Sequence, residues 1–245
     1  MAAPGDRLAS ALAHGLPAPQ ILAIETATTR AIVALGTLDG ELIVADEWEA
    51  GHRHAEELLV RIAVLLERVG IVRPGPGVLA GIVAGTGPGG FTGLRVGLAT
   101  AHGMARAAAV PLVGVPTGVA LVAAARSRGA VPAGAEVALL LPAGPAARYI
   151  VRDGRAILAP PGEPTDDPAP GAVLVAVDLA GRAPGEATAR GAVARAGLAA
   201  ALLDLGAARL RAGEDDGAAL VPEYVTMPRG GAAAVGEVAW SPARP

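Results

Sequence analysis

The order of the apolar runs constrains this chain more than any single motif does. Residues 21–25 form an apolar strand closed by an acid, a short Thr-Ala-Thr-Thr connection follows, and residues 31–38 form a second apolar run. Asp39-Gly40 then separates that run from a third at residues 41–48, which is the strongest short-range hairpin signal, so the chain opens with an antiparallel meander. From His54 the period becomes helical: Leu58, Ile62, Leu65 and Val69 share one face, and Leu59 and Leu66 widen it. Gly70 and the Pro/Gly run at 74–77 stop that helix. A strand at 78–85, a glycine-rich turn, a long helix from about Phe91 to Ala108, a strand at 111–115 and a helix from about Thr117 to Arg126 complete a β-β-β-α-β-α-β-α series.

Three meandering strands followed by alternating helices and strands is the order of the ribonuclease H-like core shared by actin, sugar kinases and Hsp70 ATPases. The expected class is therefore α/β with two actin-like lobes, an inference about fold and not about chemistry. The predicted division is a disordered extension at 1–20, a first lobe at 21–117, a second, degenerate lobe at 118–228 and a flexible tail at 229–245. Within the second lobe, residues 136–143, 147–151 and 172–178 read as strands, residues 159–171 as a Pro-rich acidic loop, and residues 193–211 as one helix with Leu198, Leu202, Leu205 and Arg209 on a face.

Composition removes whole classes of chemistry. All 20 basic residues other than histidine are arginine, and there is no cysteine among the 245 residues. Walker-type phosphate loops, Schiff-base lysines, thiol nucleophiles, disulfides and zinc ribbons are excluded. The uncharged stretch 107–125 is interrupted by Pro111, Gly114, Pro116 and Gly118, which splits it into short elements instead of a membrane span. The net charge of −3 is unevenly spread, because residues 68–135 hold six arginines and no acid. A basic middle suits phosphate, RNA or an acidic protein surface; an uncharged core segment is the plainer explanation.

Residues 85–90, Gly-Thr-Gly-Pro-Gly-Gly, match GxGxxG between a strand and a helix. A dinucleotide site is disfavoured, since the unit follows the meander and no acid lies within 68–135 to take a ribose hydroxyl. The surviving reading is a turn in which glycine allows positive φ and close backbone approach. The helix after it carries Gly93, Gly97, Ala101, Ala105 and Ala109 at intervals of four, plus Gly103. Three interior glycines would cost it roughly 3 kcal/mol unless a neighbour packs closely, whether the chain's own sheet or another protein.

The run from Ala84 to Thr117, AGTGPGGFTGLRVGLATAHGMARAAAVPLVGVPT, resembles the signature of the TsaB (YeaZ) family, as do ILAIETATTRAIVAL and the helix beginning near His54. The likeness covers about 21–125 and fades to Tyr149 and a Pro-Glu-Tyr-Val near the end. It implies a non-catalytic, degenerate actin-like protein that pairs directly with TsaD, and the net charge of −3 suggests a soluble cytoplasmic one. With TsaE and the TsaC product, the pair supports placing threonylcarbamoyl on the anticodon-adjacent adenosine of tRNA. It assigns partner contacts to the two helices after the meander, here through Leu58, Ile62, Leu65, Gly93, Gly97, Ala101 and Met104. The signature turn is Gly87, Pro88, Gly89, Gly90, Phe91 and Thr92. Contact with tRNA is indirect, a homodimer is the alternative pairing when the chain is alone, and ATP enters only through the partners, with no cofactor in the isolated chain. Glu25 stands where the family commonly has aspartate, and Gly90 where it commonly has serine.

Glu25 and Thr26 occupy the place of a nucleotide site in active relatives of the fold, and are read as vestigial. The rival reading is an ATP-dependent kinase using Glu25 and the Thr26–Thr29 turn. A direct tRNA-binding module is a third, weakened by the lack of interleaved aromatics. His52 and His54 cannot share a helix face, and Ser10, Ser127 and Ser241 lie in no nucleophile motif, so neither a metal centre nor a serine hydrolase is expected.

Overall fold

The computed structural model describes residues 19–51, 53–159, 171–223 and 225. Its first sheet has the order β3-β2-β1-β4-β5, from β1 (Gln20–Glu25), β2 (Arg30–Thr37), β3 (Leu42–Glu49), β4 (Leu79–Gly85) and β5 (Leu112–Val115). β1 pairs antiparallel with β2, Ala23 opposite Ala34, and parallel with β4, which runs parallel to β5. The meander and its hairpin at Asp39-Gly40 form as the alternation predicts, with Gly40 at φ 87°.

Both faces of this sheet are buried, and the period of two divides β1 between them. Leu22 and Ile24 face α1 (His54–Arg68) and α2 (Phe91–Ala108), packing with Leu58, Ile62, Leu65, Leu98 and Ala101. Ile21 and Ala23 face the opposite core with Leu202, Leu203 and Ala207 of α5 (Leu198–Arg211). That second core continues past α3 (Thr117–Ser127), through Ala120 and Leu121, to Leu139, Tyr149 and Val175 of the other sheet.

The second sheet, ordered β8-β7-β6-β9, consists of β6 (Val137–Ala143), β7 (Ala147–Arg152), β8 (Arg155–Ala159) and β9 (Val173–Ala176). It repeats the first sheet's pattern: β6 is antiparallel to β7, β7 to β8, and β6 parallel to β9. The whole is the two-lobed actin-like α/β fold.

Three expectations need correcting. β1 begins at Gln20, one residue inside the stretch assigned to the extension; residues 1–18 and 226–245 lie outside the described residues. β8 was missed, because its five residues, Arg-Ala-Ile-Leu-Ala, lack alternation and merge with the proline-rich run. Residues 193–211 are not one helix: α4 (Gly185–Ala196) and α5 meet at Gly197, where a Cβ would press against Arg128 and Ala124 of the neighbouring helix region. The uncharged stretch 107–125 divides into the end of α2, β5 and most of α3, and among the described residues no single helix is long and apolar enough to cross a membrane.

Candidate functional site

The carboxyl ends of β1 and β4, the glycine-rich turn and the start of α3 converge on Glu25. Its side chain is fully buried. Thr117, the first residue of α3, donates its hydroxyl to Glu25 Oε2 at 2.6 Å and accepts the Gly87 N–H at 3.0 Å. The backbone N–H groups of Thr26 and Ala27 complete the carboxylate's set of donors. Burial pushes the Glu25 carboxyl above its ordinary value of 4.5, and these hydrogen bonds only partly offset that. Two segments, the start of α3 and the turn after β1, thus direct three donors at one carboxylate, as an anion cradle would, and the occupant is the chain's own glutamate.

The glycines of the turn serve this corner. A Cβ on Gly85 would run into the Glu25 carboxylate, and one on Gly89 into the Ala27 carbonyl. Gly87 sits at φ 101°, the Gly87–Pro88 peptide bond is cis, and the Gly90 N–H donates to the Ala27 carbonyl at 2.8 Å. Gly87 and Pro88 are buried, Gly89 and Phe91 half-buried, and Gly90 and Thr92 exposed; Arg95 lies over the Phe91 ring, 3.9 Å from its centroid. Thr26 turns away from the cradle: its hydroxyl donates to the Gly93 carbonyl at 2.8 Å and fills the space that a Cβ on Gly97 would need.

This settles what approaches the small-residue stripe of α2. Gly93, Gly97 and Ala101 face Thr26 and the sheet, and Leu58, Ile62 and Leu65 of α1 are at most 2% exposed in the same core. Six of the seven residues assigned to a partner contact are therefore internal, and Met104 is half-buried against the same cluster. The assignment took the helices' strongest stripe as the partner's, whereas hydrophobic burial in the chain's own core had first claim on it. The surface opposite carries Leu59, Val60 and Val64 on α1, 56, 61 and 49% exposed. On α2, Ala99, Gly103 and Ala107 are exposed, and a Cβ on Gly103 would meet nothing within 4 Å. The signal was in the sequence: α1 is apolar at 59, 60, 63 and 64 as well as on its core stripe, more than one buried face requires.

The six arginines between 68 and 135 do not gather on one element. They are divided among α1, the following loop, α2 and the end of α3, and Arg126 is tied to the Ala135 carbonyl at 3.0 Å. Among the described residues no three histidine or acidic side chains come together as metal ligands would.

A second polar junction joins the lobes. Asp178, just past β9, accepts the Thr29 N–H at 2.9 Å and pairs with Arg195 of α4. Near the C-terminal end of the described chain, Asp215 and Asp216 accept the N–H groups of Leu112 (3.0 Å) and Gly114 (2.7 Å), closing the free edge of β5, and Arg209 holds Asp216 with both nitrogens.

Fold and corner together define a two-lobed actin-like protein whose anion cradle is filled from within. The family model described as TsaD, tRNA N6-adenosine threonylcarbamoyltransferase, matches residues 48–197, and the chain belongs to that family. It is 35% identical over 101 residues to the tRNA threonylcarbamoyladenosine biosynthesis protein TsaB of Escherichia coli (strain K12), a match spanning 40% of this chain and 40% of that one. Among solved structures it is similar to YeaZ from Pseudomonas aeruginosa, at TM-score 0.58 and 23% identity over 84% of this chain and 99% of that one. A second such structure, titled as similar to peptidase YEAZ from Pseudomonas aeruginosa, gives TM-score 0.60 and 23% identity over 85% and 100%. These structures share the fold of this chain.

Proposed function

We propose that this chain is a non-catalytic TsaB-type subunit in the cytoplasm. It pairs with a TsaD-type protein, and through it with a TsaE-type protein, to support transfer of threonylcarbamoyl to the anticodon-adjacent adenosine of tRNA. The sequence likeness to TsaB supports the pathway, and one structural observation carries the role. The corner that would hold an anionic ligand is occupied by Glu25, while the adjoining pair α1–α2 presents an apolar outer face. A carboxylate that already takes the donors of Thr117, Thr26 and Ala27 withholds them from a nucleotide phosphate. Leu59, Val60 and Val64 give the helix pair the exposed apolar side that a partner's helices would bury. In the isolated chain the same face is the surface for a homodimer.

Co-expression with the TsaD homologue of the same source, followed by size exclusion, is expected to give one complex. Val60→Glu should abolish it while leaving the chain's own stability within about 0.5 kcal/mol, because the residue lies outside the core. Separate elution of the unaltered proteins at micromolar concentration would refute the pairing. The kinase alternative predicts Mg-ATP binding and turnover by the isolated chain, and calorimetry is expected to detect neither.

A further inference from the structure

The β7–β8 hairpin carries a feature that neither lobe packing nor the helix-pair surface uses. Arg152 and Arg155 stand directly opposite each other across the hairpin, and Ile150 stands opposite Ile157 on the same face. These four residues, with Asp153, line a cavity of about 520 Å³. Two guanidinium nitrogens of Arg152, Nε and one Nη, are buried with no hydrogen-bond partner. Among the described residues Arg155 has no ion-pair partner either, so a cross-strand pair of like charges stands without an ion pair, with the turn's Asp153 lining the same cavity, where like charges directly opposite are destabilising.

The neighbouring edge is open. β8 ends the sheet order β8-β7-β6-β9, and among the described residues no strand pairs with its outer side. Exposed edges are usually blunted by charge, proline or a bulge along the strand. β8 has part of this protection, being five residues long with Arg155 at its start and Pro160-Pro161 after it, yet it leaves Ile157 and Leu158 60 and 41% exposed. An apolar edge beside unpaired guanidinium groups fits one kind of occupant.

We propose that β8 is a docking edge for an acidic, extended segment of a partner protein, added as a fifth strand. Its carboxylates lie on the face of Arg152, Arg155 and Ile157, where they pair with the two arginines, and its alternate apolar residues lie on the other face, beside Leu158. Guanidinium takes a carboxylate through two parallel hydrogen bonds, and the backbone of β8 supplies a ladder that fixes register. A single-stranded nucleic acid fits less well, because it wants aromatic platforms and Tyr149, the hairpin's aromatic residue, faces the core.

The test uses the full chain and a fluorescein-labelled peptide of alternating glutamate and valine, read by anisotropy and by hydrogen exchange of the β8 amides. Binding that falls with salt and slows exchange at residues 156–159 is expected. Affinity should fall about tenfold in R152Q/R155Q and in Ile157→Glu, an exposed site chosen because it leaves the core intact. Unchanged affinity in both variants, or binding without slowed exchange in β8, would overturn the proposal. So would tighter binding of decauridylate with the same amides protected, which would make the site one for phosphate. Peptide binding that appears only after Glu163, Asp166 and Asp167 are neutralised would also overturn it, by showing the chain's own acidic run to be the occupant.

Discussion

The two sheets share a strand order and differ in what lies against it. In each, a central strand, β1 or β6, pairs antiparallel with the next strand and parallel with a later one, β4 or β9. In the first lobe a 15-residue helix, α1, links β3 to β4 and with α2 closes one face completely. In the second lobe the corresponding face has a small cluster, Leu140, Ala176, Leu179 and Ala187, and Ile157 remains 60% exposed. The strand ends differ in the same sense: β1 runs to Glu25, β6 to Pro142-Ala143, and the acid near this end of the second sheet, Asp178, turns to the first lobe. A two-lobed ligand site needs free groups facing one another across the cleft. Here the first lobe's acid is spent on its own corner and the second lobe's on holding the lobes together.

If that contrast is right, the largest effect follows removal of the first lobe's acid. Glu25→Ala strands the Thr26 and Ala27 N–H groups and the Thr117 hydroxyl in a buried corner, and urea unfolding should show a loss of about 3 kcal/mol. Pro142→Ala, at the corresponding strand end of the second lobe, should change stability by less than about 1 kcal/mol. Equal losses would erase the distinction between the two strand ends.

The same residue gives the contrast a pH signature. The folded-state pKa of Glu25 is raised, so between the unfolded value near 4.5 and the folded value the native state binds more protons than the unfolded state. Stability then falls as pH rises through that window and levels off above the folded pKa. Glu25→Gln cannot titrate, so the difference in melting temperature between wild type and variant should shift against the wild type as pH rises from about 4.5. A pH-independent difference would mean that the corner is wet.

Asp178→Ala tests the junction between the lobes. It frees the Thr29 N–H and leaves the half-buried Arg195 without its carboxylate, and should cost about 2 kcal/mol. Faster hydrogen exchange at the β1–β2 turn and in α4, with the core of β1 still protected, is the expected pattern. Uniform acceleration would show that the lobes unfold as one unit and that the residue is no local latch.

How much of this was legible in the sequence depends on the range of the interaction concerned. The meander, α1, β4, α2 and β5 follow from alternation, from the helical period and from Asp39-Gly40, all of which are local. The internal occupant of the corner was not legible, because Glu25 and Thr117 meet only through tertiary structure and a glutamate's length decides whether it fills the space. β8 escaped because a five-residue strand with exposed Ile157 and Leu158 shows no period of two. The spacing of α2's small residues did show that something comes close. It could not show from which side, and the neighbour proved to be Thr26 of the same chain.

That ambiguity of side can be resolved within one helix. Gly97→Ala places a methyl against the Thr26 hydroxyl and should cost about 2 kcal/mol through overpacking, so this position cannot serve as a probe of pairing alone. Gly103→Ala meets open space and removes a helix-interior glycine, and should stabilise the isolated chain by about 1 kcal/mol. Its value lies in the opposite sign expected for the complex. If the outer face of α1–α2 meets a partner's helices closely, the added methyl at Gly103 should weaken pairing even as thermal stability rises, and isothermal titration with the proposed TsaD-type partner reads that separation directly. Stabilisation with unchanged affinity would leave Gly103 outside the contact and move the interface toward Leu59, Val60 and Val64.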